Sequence, residues 1–214
     1  MKTIYILVLS LFLAGTVQAQ MGGGGGQQAF EPVVIPDVEE ETLILAIPDK
    51  WYPFFRESEA KTDTYYFPTG QGASGWREAI HAQRFVSTLN LTEATEYYEV
   101  KSGANAKACA EHEVSFMRGG SENGYSRAEW YEHCTLANED ELHTLNKAIL
   151  GNEKLYVVSK VWKSDPDQEE RFEWERYLGT AFVCDPTTLE NPCIPPSNGR
   201  GMGGAGMGGG GMGG

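Results

Sequence analysis

Basic residues are scarce in this 214-residue chain, which has 17 Lys and Arg against 30 Asp and Glu and a formal net charge of −13. Its lysines and arginines form no cluster along the sequence. Nucleic acids and anionic membranes both attract proteins through a basic surface. The composition therefore argues against both classes of partner, and we expect no nucleic-acid binding.

The chain also lacks an internal apolar run long enough to cross a membrane, which takes about 20 residues. Residues 4–14 form a shorter apolar run that follows the positive charge of Lys2 and precedes the small-x-small tripeptide at 17–19. This order is typical of a secretory signal peptide cleaved before Gln20, and no cysteine follows the run to carry a lipid. We therefore predict a signal peptide at 1–19, no membrane span, and a bacterial protein that is periplasmic or secreted.

Cysteine is sparse as well, since the chain has only four, at Cys109, Cys134, Cys184 and Cys193. A small even number of cysteines in an exported protein is typical of disulfides. Three pairings are open, and we favour Cys109 with Cys134 and Cys184 with Cys193. The first pairing closes a loop of about 25 residues and contributes roughly 3 kcal/mol in the chain-entropy model. A zinc or copper site formed by Cys109 and Cys134 with neighbouring histidines is the less favoured alternative, because a disulfide removes the thiolates that a metal needs.

Two segments have little apolar surface to bury. Residues 20–41 start with a glycine and glutamine tract and continue as an extended acidic stretch, and residues 195–214 are mostly Gly and Met. Such compositions predict a flexible N-terminal segment and a disordered tail. Weak Cu(I) binding is one alternative function of the tail, because thioethers are soft ligands; its methionines are Met202, Met207 and Met212. A single folded domain is predicted between the two segments, at 42–194.

Two predicted hairpins define the fold class. The central one joins 142–150 to 155–162 through a turn led by Gly151 and Asn152, residues that tolerate the positive φ of a tight reversal. The other joins 112–118 to 125–134 through a longer, mobile loop. Because hairpins pair their strands antiparallel, we predict an α+β fold, a mainly antiparallel sheet of hairpins packed with two helices and stabilised by disulfides. The helices are expected at 91–108, capped by Thr92, and after a cap at Asp165, and further strands at 42–47, 64–67 and in the second half of 76–86.

The order of these elements resembles the Mog1/PsbP-like fold. The resemblance rests on the phrase Ile-Pro-Asp-Lys-Trp at 47–51 after a first strand, a long helix from Leu91, a central hairpin that continues into Leu-Tyr-Val-Val at 155–158, and an aromatic closing helix. It covers residues 42–183. It implies an α/β/α sandwich and a non-catalytic role as a binding or assembly factor.

No catalytic signature occurs in the sequence. The segment around Ser126 lacks the second glycine of a nucleophile elbow, and the G-x-G-x-x-G string at 70–75 follows Pro68 in an antiparallel context that favours a plain turn. His81 and His143 have no recognisable Ser or Cys partner in sequence. We therefore predict no catalytic residue, no metal ligand and no cofactor. An exported hydrolase that uses a carboxylate and a histidine is an alternative function.

Aromatic residues are plentiful, and most of them are expected in the core, including Trp51, Tyr52, Phe54 and Phe55. Both faces of 155–162 are largely apolar, which indicates a central strand covered on both sides or bordering a groove. We expect a candidate binding groove for a hydrophobic ligand or a protein; its residues are Tyr156, Val158, Trp162 and Trp130. The predicted function is an exported, non-enzymatic domain that binds a partner protein or a small hydrophobic ligand in the cell envelope.

Overall fold

The computed structural model describes residues 38–193. The predicted signal peptide, residues 20–37 of the N-terminal segment, and the tail with its methionines lie outside the described residues. The elements follow one another along the chain as β1 (Thr42–Ile44), β2 (Trp51–Glu57), β3 (Lys61–Pro68), β4 (Glu78–Phe85), α1 (Ala94–Ala108), β5 (Glu111–Glu122), β6 (Tyr125–Thr135), β7 (Glu141–Leu150), β8 (Leu155–Trp162), α2 (Gln168–Leu178) and β9 (Phe182–Cys184). None of the helices within 38–193 is long and apolar enough to span a membrane.

Within residues 38–193, seven strands form one sheet in the order β2-β3-β4-β8-β7-β6-β5, so that β2 and β5 are its two edges there. Every pair of neighbours in this sheet is antiparallel. The short strands β1 and β9 pair antiparallel with each other in a separate two-stranded sheet. The predicted α+β class, with a mainly antiparallel sheet and two helices, is therefore confirmed.

The helices cover opposite faces of the large sheet. Leu155 and Val157 of β8 pack in the cluster that contains Tyr97 of α1, whereas Val158 and Trp162 pack in the cluster that contains α2. Successive side chains of a strand point to opposite faces, so a strand that is apolar on both faces needs cover on both. Of the two alternatives predicted for β8, cover on both sides is confirmed and the bordering groove is not found, and the layers form an α/β/α sandwich.

Both predicted disulfides are present and confirm the favoured pairing. Cys109, which follows the last residue of α1, is bonded to Cys134 of β6 over a sequence separation of 25 residues. Cys184, at the end of β9, is bonded to Cys193. Each bond therefore ties the end of one element to a neighbouring segment.

The two hairpin turns differ from the prediction in opposite ways. The central hairpin has the predicted strands, but its loop closes over four residues with a 2.9 Å hydrogen bond from Gly151 N–H to the Lys154 carbonyl, and neither Gly151 nor Asn152 adopts a positive φ. The loop predicted to be long and mobile is instead strand, because β5 continues to Glu122 and the turn is Asn123–Gly124 alone, with φ of 49° and 82°. Asn-Gly is the preferred pair for such a two-residue reversal, and this signal was missed.

The helices begin later than predicted. Helix α1 starts at Ala94, and the Thr92 hydroxyl donates to the Glu96 carboxylate at 2.8 Å instead of capping the helix. Helix α2 is capped by Asp167, whose carboxylate accepts a 2.8 Å hydrogen bond from the N–H of Glu170. Asp165 lies before that cap. Several acidic or hydroxyl residues precede each helix, and the composition alone does not select the one whose side chain reaches a free N–H.

Candidate functional site

The largest departure from the predicted core lies on the edge strand β2. Tyr52, Phe54 and Phe55, which together are called the aromatic edge below, are 60%, 41% and 64% exposed. The prediction that they are core residues is therefore wrong, and only the neighbouring Trp51 packs against the core. A run of aromatic residues indicates a strand but does not say whether anything covers it.

The positions of the helices explain why nothing within 38–193 covers the aromatic edge. Helix α1 packs mainly on β5, β6 and β7, and helix α2 packs mainly on β7 and β8. Only the start of β2 contacts a helix, at α2, where the rings of Trp51 and Trp174 lie 5.6 Å apart. The remainder of β2 projects beyond both helices, at the border of the sheet.

One side of the aromatic edge rests on a row of further rings. Tyr52 lies opposite Phe67, and Phe54 lies opposite Tyr65, in the β2–β3 register. Tyr65 stacks on the imidazole of His81 with a centroid distance of 4.0 Å. Directly opposed side chains share a face of a sheet, so these rings form one continuous surface from β2 to β4.

A polar cluster holds the histidine beneath this surface. The Asp63 carboxylate accepts hydrogen bonds from Nε2 of His81 at 2.8 Å, from Gln83 at 2.8 Å and from Lys61 at 3.0 Å. Burial alone raises the pKa of Asp63, but these hydrogen bonds bring it below the ordinary value. Burial lowers the pKa of His81 against the opposing effect of Asp63. At neutral pH a neutral His81 therefore donates to an ionised Asp63 and fixes the ring on which Tyr65 stacks.

The same cluster contains the carboxylate and histidine that the alternative hydrolase function requires. Ser159 of β8 stands opposite His81 in the β4–β8 register, which places a hydroxyl-bearing residue next to a histidine and a carboxylate. However, the Ser159 hydroxyl donates its proton to the side-chain oxygen of Asn146 at 2.6 Å. A serine nucleophile must instead give its proton to the histidine. The geometry therefore does not form a catalytic triad.

The four residues of the predicted groove belong to the core. Tyr156, Val158 and Trp162 point towards the α2 side, whereas Trp130 packs with α1 on the other face of the sheet. None of them is more than 3% exposed. They do not line one groove, because they lie on opposite faces of the sheet and each is covered: Trp130 by α1, Val158 and Trp162 by α2, and Tyr156 by the β1–β9 pair.

A buried lysine anchors the first residue of β2 to this core. The ammonium group of Lys160 lies 4.0 Å from the ring centroid of Trp174, 4.6 Å from Trp51 and 5.2 Å from Trp162, and it also pairs with the carboxylate of Glu78. Burial lowers the pKa of Lys160 to about 8, and Glu78 opposes this shift. The side chain has no exposed surface. Its position indicates a structural role, in which one cation holds three indoles together.

Among the described residues, one group has the geometry of a metal site. His133, Glu141 and His143 each offer a ligand atom, and these atoms lie within 4.8 Å of one another. The alternative Cys/His site does not form, because Cys109 and Cys134 are bonded to each other and His112 is hydrogen-bonded to Glu132 at 2.5 Å. The sequence gives little sign of the observed group, because its two histidines meet only through the β6–β7 register.

No family model matches the chain, and no curated protein matches it. Among solved structures the chain is similar to cyanobacterial PsbP (CyanoP) from Synechocystis sp., with 12% identity and a TM-score of 0.49 over 76% of this chain and 98% of that chain. It is also similar to LpqN, a protein involved in cell envelope biogenesis of Mycobacterium tuberculosis, with 13% identity and a TM-score of 0.45 over 69% of this chain and 86% of that chain. The predicted resemblance to PsbP-like proteins agrees with this similarity. At these values it carries no information on activity or partners.

Proposed function

We propose that this chain is an exported, non-enzymatic domain that binds a partner protein of the cell envelope through the aromatic edge. The observation that carries the proposal is the exposure of Tyr52, Phe54 and Phe55, three large apolar side chains within one seven-residue strand. Single exposed apolar residues are ordinary, but a group of neighbouring ones is typical of an interaction site. Tyr52 and Phe54 point to one face of β2 and Phe55 points to the other, so the partner contacts both faces of this edge strand. Aromatic side chains are also the residues enriched at the centres of protein interfaces.

The openness of the aromatic edge favours a protein over a small hydrophobic ligand. Small ligands are held in concave sites that bury about 70–90% of their surface. The three rings stand out from an edge strand, with 41–64% of their own surface exposed. A partner protein with an apolar depression of its own matches this shape.

Pro53, in the middle of β2, affects how such a partner docks. Proline has no N–H, and it is tolerated on edge strands where the missing donor would face solvent. A strand added alongside β2 would therefore lack a hydrogen bond at Pro53. We infer that the partner contacts the aromatic side chains and does not extend the sheet through a complete ladder.

Two further observations support export. Disulfides persist mainly in oxidising compartments, and this chain has two. The predicted signal peptide at 1–19 agrees with that compartment.

The proposal is tested by purifying the tagged protein from the envelope fraction of its own organism after mild cross-linking. The double variant Phe54→Ser/Phe55→Ser is compared with the matched control Phe172→Ser, which removes a ring that is 58% exposed on α2. We expect one protein to be recovered in stoichiometric amount with the wild type and with Phe172→Ser, and to be lost with the double variant. Equal recovery with all three proteins would contradict the proposal, provided that their thermal unfolding curves agree.

A further inference from the structure

Two histidines face each other near the ends of β6 and β7. His133 and His143 are directly opposed in the β6–β7 register, and their rings are stacked with a centroid distance of 4.4 Å and an interplanar angle of 14°. Opposed side chains are the closest pairs across an antiparallel sheet. This placement brings two imidazoles to one point on the face that carries α2.

Neither imidazole uses its Nε2 atom in a hydrogen bond to any residue within 38–193. The Nε2 atoms of His133 and His143 are both buried and have no hydrogen-bond partner among the described residues, and His143 as a whole is only 5% exposed. By contrast, His81 and His112 bind carboxylates through Nε2 at 2.8 Å and 2.5 Å. A buried polar atom without a partner costs about 1–3 kcal/mol, so two of them side by side point to a missing ligand.

The other nitrogen of His143 is already held in the arrangement that a metal ligand needs. Nδ1 of His143 lies 2.8 Å from the hydroxyl oxygen of Tyr131 and 3.7 Å from a carboxylate oxygen of Asp165. When Nδ1–H donates to the Tyr131 oxygen, the lone pair is on Nε2. Histidines that bind metals are commonly oriented by a second hydrogen bond of this type, from the ring nitrogen that does not touch the ion.

A carboxylate completes the group from the solvent side. Oε2 of Glu141 lies 3.6 Å from Nε2 of His143, and the Glu141 side chain is 50% exposed. Glu113 of β5 stands opposite His133 in the register and adds a second negative charge to this row. An ion can therefore enter from solvent past Glu141 and meet two nitrogen donors behind it.

We propose that His133, Glu141 and His143 bind a divalent transition-metal ion, with Zn²⁺ as the best match. Two imidazole nitrogens and one carboxylate oxygen are a common zinc ligand set, and a water molecule then takes the fourth position. In a tetrahedral site with bonds of about 2.0–2.1 Å, the donor atoms are about 3.3 Å apart. Binding therefore requires the two rings to turn out of their stack and draw together from a separation of up to 4.8 Å.

This site is independent of the proposed function. It is formed by β6 and β7, whereas the aromatic edge belongs to β2 at the far border of the sheet. The His133/Glu141/His143 site also differs from the Cu(I) site predicted in the tail. It has no thioether or thiolate donor, and its nitrogen and oxygen donors favour Zn²⁺ over Cu(I).

The site is tested on the untagged, disulfide-intact chain by competition for Zn²⁺ with a chromophoric chelator, and by the absorption spectrum of the Co²⁺ form. The wild type is expected to bind one ion and to give the intense visible bands of four-coordinate Co²⁺. His133→Gln is expected to weaken Zn²⁺ binding by at least about 100-fold and to remove those bands, whereas Glu141→Gln weakens binding about 10-fold. His143→Gln is expected to behave like His133→Gln if it folds.

The matched control is His112→Gln, because His112 is a histidine of the neighbouring strand whose Nε2 is already bonded to Glu132. This variant is expected to keep the wild-type Zn²⁺ affinity and Co²⁺ spectrum. Three results would overturn the proposal: no stoichiometric ion in the wild type, wild-type affinity in the folded His133→Gln variant, or an equal loss of affinity with His112→Gln. His133 is partly exposed, so its substitution tests the site even if the His143 variant does not fold.

Discussion

The two edges of the seven-stranded sheet are protected very differently. Edge β5 is a twelve-residue strand with a bulge between Phe116 and Arg118, and helix α1 packs against it. It also contains two glycines and several charged residues, namely Glu111, Glu113, Arg118 and Glu122. Edge β2 has seven residues and exposes Tyr52, Phe54 and Phe55. Bulges, charges and covering elements are the devices by which proteins keep edge strands from binding other chains.

The difference indicates that the exposure of rings at β2 is not a general property of the edges of this sheet. Phe116 on β5 is also 46% exposed, but its ring lies 4.9 Å from that of Tyr98 on α1, so it is backed by the helix. The exposed rings of β2 lack such a backing helix among the described residues. On this comparison β5 is the closed edge and β2 is the open one, and four predictions test the distinction.

The largest effect is expected from removing the disulfide beside β5. The double variant Cys109→Ser/Cys134→Ser is expected to lose about 3 kcal/mol of unfolding free energy, because a loop of 25 residues is no longer closed in the unfolded chain. Urea unfolding measures the loss, and hydrogen exchange should show faster opening of β5 and β6 with little change in β2. Cys184→Ser/Cys193→Ser is the control. An equal acceleration of β5 exchange in the control would contradict the assignment of this disulfide to the closed edge.

The next effect concerns Lys160, which ties Trp51 at the start of β2 to the core. Its pKa is about 8 in the folded protein against an ordinary 10.5. Between these values the unfolded chain keeps a proton that the folded chain has lost, so the unfolding free energy rises with pH from about 8 to 10.5. Relative to Lys160→Met, the wild type should therefore gain up to about 3 kcal/mol between pH 7 and pH 10. Urea unfolding of both proteins across this range measures the gain, and parallel pH profiles would refute it.

A smaller effect is expected at the turn that ends β5. Gly124 has a φ of 82°, and a Cβ atom there would lie 2.3 Å from the side-chain nitrogen of Asn191. Gly124→Ala should therefore lower the unfolding free energy by about 1–2 kcal/mol. Gly103→Ala in α1 meets no atom within 4 Å and should stabilise the protein by about 0.5–1 kcal/mol. Thermal unfolding of both variants tests whether Gly124→Ala loses stability and Gly103→Ala gains it. An unchanged stability of Gly124→Ala would show that the turn does not need glycine.

The smallest effect on stability is expected at the open edge itself. Phe55 is 64% exposed, so Phe55→Ser should change the unfolding free energy by no more than about 0.5 kcal/mol. Phe67→Ser on the adjacent strand is the contrasting variant, because Phe67 is buried, and it should cost several times more. Denaturant titration distinguishes the two. A large loss with Phe55→Ser would mean that its ring is a structural contact.

The sequence predicted those parts of the fold that depend on local pattern. The central hairpin, the disulfide pairing and the α+β class all follow from alternation, spacing and composition, and the structure confirms them. The exposure of the β2 rings was not predictable, because it depends on how far the two helices extend over the sheet. The predicted groove at Tyr156 and Trp130 is absent for a similar reason, because Trp130 is covered by α1 on one face of the sheet and Tyr156 is covered by the β1–β9 pair on the other.

The metal-binding geometry was missed for a different reason. His133 and His143 are equidistant from the centre of the β6–β7 connection, so the register of that hairpin opposes them. The predicted hairpins were β5–β6 and β7–β8, and the pairing of β6 with β7 was not predicted. The symmetry of the two positions about this connection is the sequence signal that identifies them.

The central claim, that β2 is the open binding edge, is tested most directly by photo-cross-linking in the native envelope. A photoreactive phenylalanine analogue replaces Phe55 in one protein and Phe116 in another, so that each edge carries one probe. We predict a discrete cross-linked protein adduct from position 55 and none from position 116. Adducts of equal yield from both positions, or none from position 55, would contradict the account.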